Sequence, residues 1–316
     1  YDILGFTNHQ ALTPHPIDSS LYIAGYEHGY NLFKFHINAY GVEKVEKFDH
    51  ILPILLSQKQ FMIDRLADDG DFVQFNHPNR TLTIDRRVME HLSGYRLIEG
   101  DAGFGEKDHG RGTSLNHWDE ALSAGRYAHN CINDDNHNSK AHASIARRCS
   151  WINTPTPYWK DIREQLLKGN FYTTRVPDFG NGDTAVKHAE NLILPRIEDI
   201  GLNGDTVYMR LSTPASAIRV ISQNGTIVDS TFNSSAIQYV MAPEDPYVRM
   251  TAWYDNGTTV YTNAFARYSE GDSPYRDFAH PVRWGMTILW NLLLLAVVAG
   301  CIYCYKLMFT SRAPLP

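Results

Sequence analysis

The sequence predicts an α/β domain that passes into a smaller antiparallel β region and then into one membrane-length helix. Three observations carry that reading. Short apolar runs alternate with helix-like stretches up to about residue 175, the pattern of strands and helices in turn. From about Gly204 the helical stretches give way to β-rich runs separated by Asn224-Gly225 and Asn256-Gly257, both hairpin turn signals. Residues 284–305 contain no charge, and a run of that length covers a hydrocarbon core of about 30 Å.

Taken in order, residues 3–7 are expected as a first strand, with further strands at 21–24 and 33–39. Residues 51–68 are expected as a helix, 72–76 as a strand, 88–93 as a helix and 95–98 as a strand. Residues 118–125 read as a helix that ends at a glycine, and 127–132 as the strand after it. The amphipathic stretch 159–167 stops at Gly169, a common helix terminator. In the β region the runs are 206–211, 218–222, 226–228, 247–254 and 259–262. The expected organisation is therefore an α/β unit over 1–175, a connecting segment over 176–203, a β-sandwich-like unit over 204–270 and a transmembrane helix over 284–308. Trp284 and Trp290 near one end of that helix, and Tyr303 and Tyr305 at the other, suit the membrane interfaces, with Arg283 and Lys306 closing the ends. A single-pass membrane protein is expected; basic residues on both sides leave its orientation open.

Composition narrows the function. A formal net charge of −6 with no block of Lys or Arg argues against nucleic acid as a partner. Gly-x-Ser-x-Gly and the phosphate-cradling Gly-x-x-x-x-Gly-Lys pattern are both absent, which disfavours serine-hydrolase and P-loop chemistry. Cys131 and Cys149 lie outside the apolar helix and could pair, but free thiols are the expectation. Histidine is more informative. There are 14, several beside Asp, Glu or Asn in the first half, and neutral imidazole is the commonest metal ligand.

Catalytic groups of α/β barrels gather at strand ends, where the loops converge. His9 follows the first expected strand and Glu27 the second, while His36 lies in the third. His77 follows 72–76, Glu99 follows 95–98, and Asp135 with His137 follow 127–132. Mixed imidazole and carboxylate donors suit zinc, manganese or iron, and a bridging carboxylate can hold two metals close together. Singly, each has a plain structural alternative. A histidine beside a strand is more often a hydrogen-bonded core or surface residue, and His77-Pro78 also reads as a strand-ending turn. Recurrence at successive strands is what favours a metal site.

In order, these residues resemble the polymerase and histidinol phosphatase (PHP) superfamily of metal-dependent phosphoesterases. Phe6-Thr7-Asn8-His9 is similar to its Thr-Asp-His motif and Gly25-Tyr26-Glu27 to its Gly-x-Glu strand. Phe35-His36-Ile37-Asn38-Ala39-Tyr40 resembles the His-x-Leu-x-Tyr stretch, Asn76-His77-Pro78 the Ala-His-Pro motif and Ile98-Glu99-Gly100 the later Glu strand. Trp118-Asp119-Glu120-Ala121-Leu122 through Gly125 to Asp135-Asn136-His137 is similar to the Trp-Asp-x-x-Leu, glycine, Asp-x-His block. The likeness continues through Gly169-Asn170-Phe171-Tyr172-Thr173 to Arg249 and Thr262-Asn263, as in the carbaryl-hydrolase-like branch with a C-terminal β domain. The resemblance implies a distorted (β/α)7 PHP barrel over 1–175. It also implies a cluster of two or three divalent ions (Zn, Mn or Fe) on His9, Glu27, His36, His77, Asp135 and His137, and a phosphate ester as substrate. His9, Glu27, His77, Asp135 and His137 would be catalytic; Arg80, whose planar fork matches a phosphate, and Glu99 would bind substrate.

Two departures stand out. The family's opening His-x-His strand is expected before Tyr1, and Asn8 stands where the family has Asp. Other readings stay open: metal-dependent hydrolysis of a carbamate, amide or carboxylic ester, or a catalytically inactive, membrane-anchored binding module. A single anchor after such a barrel suggests an extracytoplasmic catalytic domain.

Overall fold

The computed structural model describes residues 2–13, 21–103, 112–138, 140–269 and 281–310. Five strands lie side by side in chain order: β1 (Gly25–His28), β2 (Ile37–Tyr40), β3 (Phe72–Phe75), β4 (Leu97–Ala102) and β5 (His129–Asn133). The β1–β2 and β2–β3 pairs are antiparallel, whereas β3–β4 and β4–β5 are parallel. Parallel neighbours need crossovers, and helix α2 (Arg86–Met89) and helix α3 (Leu115–Ser123) occupy them, while α1 (Leu56–Asp69) links β2 to β3.

The period-2 pleat divides this sheet into two unlike faces. Tyr26, Ile37, Ala39, Val73, Phe75 and Ile98 join Met62, Ile63 and Leu66 of α1 and Trp118 of α3 in one buried apolar core. Alternate positions face the other way. There, Phe72, Leu97 and Cys131 pack against Ile162 and Leu166 of α4 (Trp159–Lys168), and beside them lies a row of buried polar residues. Register makes the row continuous, since Glu27 pairs with Asn38 and Asn38 with Gln74.

The second sheet has eight strands, every pair antiparallel. Its main path runs from β6 (Arg148–Ile152) through β7 (Phe171–Arg175), β12 (Thr259–Thr262), β11 (Tyr247–Trp253) and β9 (Thr206–Ser222) to β10 (Thr226–Val240). Two shorter strands, β8 (Ile197–Asn203) and β13 (Phe265–Ala266), flank β9 and β11. Strand β9 pairs with β8 along its first half and with β11 along its second. Pro214, which has no N–H to give, falls where the β9–β10 register is interrupted. Val207, Met209, Val220, Val248, Met250 and Val260 form this sheet's own core. Because β7 pairs with β12, the ladder joins strands on either side of residue 175. Helix α5 (Thr184–Leu192) lies between β7 and β8.

Two side-chain clamps join the sheets. Asp119 on α3 accepts two hydrogen bonds from Arg249 on β11, at 2.8 and 2.7 Å, and the Tyr247 hydroxyl lies 2.9 Å from the same carboxylate. The Arg249 guanidinium also stands 5.1 Å from the Trp118 ring centroid. Asn263 donates to the carbonyls of Gly169 and Phe171 and accepts from the backbone of Asn130.

Helix α6 (Trp284–Thr310) is long and apolar enough to cross a membrane over Trp284–Phe309, about 39 Å at 1.5 Å per residue, and is almost wholly unburied. Its first turn touches the rest of the chain: Gln58 donates to the Thr287 hydroxyl at 3.1 Å, and the Trp284 ring lies 6.0 Å from the rings of His50 and Phe61.

Several expectations need correction. A closed (β/α)7 barrel is not formed by the described residues; β1, β2 and β3 are antiparallel neighbours without crossover helices between β1 and β2, and the five-stranded sheet stays open. Residues 3–7 form no strand; a parallel bridge between His9 and Glu27 joins the segment to the sheet, and Ile3 packs against the cluster around Phe72 and Leu97. The strand expected at 21–24 lies at Gly25–His28, which puts Glu27 inside it. Helix α1 starts at Leu56 rather than 51, because Lys59 Nζ holds the carbonyls of Pro53 and Ile54 in an irregular turn. The helix expected at 88–93 is a single turn capped by Asp85, whose side chain accepts from Val88 N at 2.9 Å. The strands of the β region are hydrogen-bonded into one continuous antiparallel ladder, which also takes in β6 and β7 from before residue 204. Cys131 and Cys149, by contrast, are free thiols as expected.

Replacing Arg249 with Leu would strand the buried Asp119 carboxylate, at an expected cost of about 3 kcal/mol or more. Urea unfolding should show a lower midpoint at an unchanged slope. A second prediction concerns acid. Burial pushes the His129 imidazole down to about 4, with the Arg96 charge adding to it and the hydrogen bond to the Leu167 carbonyl opposing it. An unfolded histidine takes its proton near 6.5. The unfolded state therefore binds more protons across the window from pH 6.5 to 4, and stability falls as pH drops through it, by roughly 3 kcal/mol from this residue. His129→Leu should flatten the unfolding free energy over that window.

Candidate metal centre

Each side chain of the site is placed by a local backbone constraint. Tyr26 enters the apolar core, so the pleat turns Glu27 to the polar face. The chain reverses between β1 and β2 around Asn31, whose side chain accepts from Phe35 N and donates to Phe35 O, both at 2.9 Å. Gly29 adopts φ +124°, and a Cβ there would fall 2.5 Å from the Phe35 carbonyl oxygen and 2.9 Å from the His36 ring. Only glycine lets this turn close on His36. His77 follows β3 with φ +27°, a strained value for a non-glycine residue; its N–H donates to Glu99 Oε2 at 2.9 Å. His9 lies on the extended segment beside β1, held by Glu27 N donating to Asn8 O and Gln10 N donating to Glu27 O.

Three imidazoles converge on one carboxylate. His9 Nε2 stands 3.2 Å from Glu27 Oε2, while His36 Nδ1 and His77 Nε2 stand 3.1 and 3.4 Å from Glu27 Oε1. One donor atom from each of His9, Glu27 and His36 lies within 4.8 Å of the others. Asn76 donates to Glu27 Oε1 at 2.9 Å and to Asn38 Oδ1 at 2.8 Å, and accepts from Gln74 at 2.9 Å, so an amide chain steadies the carboxylate from behind.

These residues fit a divalent cation. The Nδ1 atoms of His9 and His77, on the far side of each ring from Glu27, are buried with no hydrogen-bond partner among the described residues, an arrangement that is costly unless something else engages the imidazoles. Two donors about 2.0–2.1 Å from one tetrahedral ion lie about 3.3 Å apart, close to the nitrogen–oxygen separations around Glu27. The charge states agree. Burial lowers the His9 pKa, helped by His36 and His137 and opposed by Glu27, so the imidazole is neutral and able to ligate. Burial pushes the Glu27 carboxyl up, but hydrogen bonds from His36 and His77 outweigh it and hold it well below its usual value.

The other expected site residues lie around this group. Glu99 is buried, accepts from His77 N and Asn133 Nδ2, and is raised well above the usual carboxyl range by burial and then by the Asp135 and Glu27 charges. Arg80 is buried rather than exposed in a loop, with Nη1 3.3 Å from Asp135 Oδ2. Asp135 and His137 are outside the three-residue donor group; the Asp135 carboxylate faces Arg80, and His137 Nδ1 lies 3.6 Å from Asp135 Oδ1. Both line a cavity of about 160 Å³ with Gly103, Asp134 and Ser144. Asn8, which stands where the resemblance has Asp, donates from its side chain to the Thr13 hydroxyl at 2.7 Å. Asn38, Gln74, Asn76 and Asn133 received no role from the sequence. Their signal was available: polar residues alternating with Ile37, Ala39, Val73 and Phe75 on buried strands.

No family model matches the chain, and no curated protein matches it. Among solved structures, a two-domain protein containing a predicted PHP-like metal-dependent phosphoesterase from Bacteroides vulgatus is similar at 14% identity and a TM-score of 0.35, over 77% of this chain and 75% of that one. So loose a superposition carries no weight beside the site geometry.

His9→Ala and His36→Ala are each expected to lower zinc or manganese affinity at least tenfold, and Asn76→Ala about tenfold through the freed carboxylate. Competition against a chelating dye measures all three; unchanged affinities would place the metal elsewhere.

Proposed function

We propose that this chain is a metal-dependent hydrolase of phosphate esters, held at a membrane by α6. The observation that carries the reading is the Glu27 carboxylate between three imidazoles at 3.1 to 3.4 Å, with buried ring nitrogens left unpartnered. His9, Glu27, His36 and His77 would hold a zinc, manganese or iron ion, and Asp135 with His137 would offer donors to a further one. Bound there, such an ion supplies a Lewis acid and a water acidic enough to be hydroxide near neutral pH. The ordered motifs that resemble the PHP superfamily support the same chemistry.

The protein's own groups supply positioning and charge. Arg80 follows His77 by three residues and brings a buried guanidinium to the site, suited to two oxygens of a phosphoryl group. Asp135 holds that guanidinium in place at 3.3 Å until substrate competes for it. Asn76 fixes the Glu27 oxygens, and Glu99 ties the strained His77 backbone to β4. The buried cation favours a phosphate ester over a neutral carbamate or carboxylic ester.

The full chain, purified in detergent and loaded with zinc or manganese, is expected to release p-nitrophenol from its phosphate monoester or diester. Glu27→Gln should lower kcat at least a hundredfold, and Arg80→Ala should raise KM. Bound metal with turnover of carboxylic esters alone would move the reading to carbonyl substrates. A chain that takes up no metal would leave a binding module as the better account. For the anchor, the chain should stay with sedimented membranes through an alkaline carbonate wash; its release would rule out a spanning helix.

A further inference from the structure

Three loops beside the metal centre end in exposed apolar side chains, and they connect to the base of α6. The β1–β2 loop carries Tyr30 and Leu32 between Glu27 and His36; Leu32 is 60% exposed. The loop after β3 carries Leu82, 66% exposed, two residues beyond Arg80. Residues 48–55 carry Ile51, also exposed. Backbone hydrogen bonds tie the three together: Leu32 N donates to Ile51 O at 3.2 Å and Leu82 N to Phe33 O at 3.4 Å. The Thr81 hydroxyl donates to Lys34 O.

The same loop 48–55 is pinned to the start of α6. Gln58 accepts from Leu55 N and donates to Thr287 on the first turn of that helix, and the His50 ring lies 6.0 Å from the Trp284 ring. Trp284 opens the membrane-length run. If that run fills the hydrocarbon core, residues touching its first turn sit at the interfacial layer, which is only some 5–8 Å deep on each side. Lys34 and Arg283 are exposed near the same end, where cations meet anionic headgroups. The metal centre shares these loops, and the Tyr30 hydroxyl donates to His9 O at 3.1 Å.

We propose that Leu32, Ile51 and Leu82 rest in the bilayer interface and that the site draws its substrate from the membrane, as the phosphate ester headgroup of a lipid. This rests on the hydrolase reading above and narrows its substrate class. For a phosphatidic acid, water adds its oxygen to phosphorus and the bond from phosphorus to the glycerol oxygen breaks. That oxygen takes a proton from the water, leaving diacylglycerol and inorganic phosphate.

The test uses the full chain in phosphatidylcholine vesicles that contain a phospholipid with a diazirine near the acyl carbonyl. After illumination, mass spectrometry should find label in the α6 peptides and in those holding Leu32, Ile51 and Leu82. Label in α6 alone overturns the interfacial surface while leaving the anchor and the hydrolase; no label in α6 removes the anchor and this proposal with it. In the second arm, phosphate release is followed from vesicle-borne phosphatidic acid and from soluble p-nitrophenyl phosphate. The Leu32→Asp, Ile51→Asp double variant should lose at least tenfold in the ratio of the first rate to the second. Equal losses on both substrates, or wild-type turnover of the soluble ester alone, overturn the lipid assignment. Inactivity on both with metal bound overturns the hydrolase reading itself, and the labelling arm still decides the surface.

Discussion

A carboxylate buried in a protein has to be paired or ligated, because desolvating an uncompensated charge is too costly to survive folding. Glu27 is such a group. Its strand sends Tyr26 into the apolar core and Glu27 to the opposite face, and the antiparallel partner β2 places Asn38 directly across from Glu27. The turn that joins those strands closes through Gly29 and Asn31 so that His36 meets the carboxylate. The backbone of β3 ends in a strained residue so that His77 does the same. The apolar core on one face of the sheet is thus the scaffold that lets the opposite face keep a charged, nearly dry cluster.

The resemblance motifs divide between two jobs. His9, Glu27, His36 and His77 gather at the cluster. Asp119, Trp118, Arg249, Thr262 and Asn263 make the joint between the sheets: a bidentate buried ion pair, a cation over an indole and a side chain that satisfies three backbone groups. Thr262 accepts from Met250 N within that joint. Residues of such different sequence position can share a motif because the joint sets how β5, which leads into Asp135 and His137, lies against the second sheet.

Helix α6 follows a simpler rule. Its side chains are almost entirely exposed, an arrangement that water does not favour for a run of leucine, valine and isoleucine. Its first turn has partners in α1 and the loop beside it. The helix and the loops that bear the site are therefore coupled at one end of the molecule.

By itself the sequence determined the local periods: the strands at Phe72–Phe75 and Thr259–Thr262, the helix that stops at Gly169, the turns at Asn224-Gly225 and Asn256-Gly257, and the apolar run from Trp284. Those signals depend on neighbours a few residues apart. It also pointed to histidines and a carboxylate at strand ends, since residue type and position are visible in one dimension. Only the tertiary structure decided the pairing: that β1 and β2 run antiparallel and leave the sheet open, that β7 crosses into the second sheet, that Arg80 spends its charge on Asp135, and that Asn76 stands behind Glu27. Such contacts join residues tens of positions apart, and their energies come from register, burial and charge compensation, none of which a local pattern encodes.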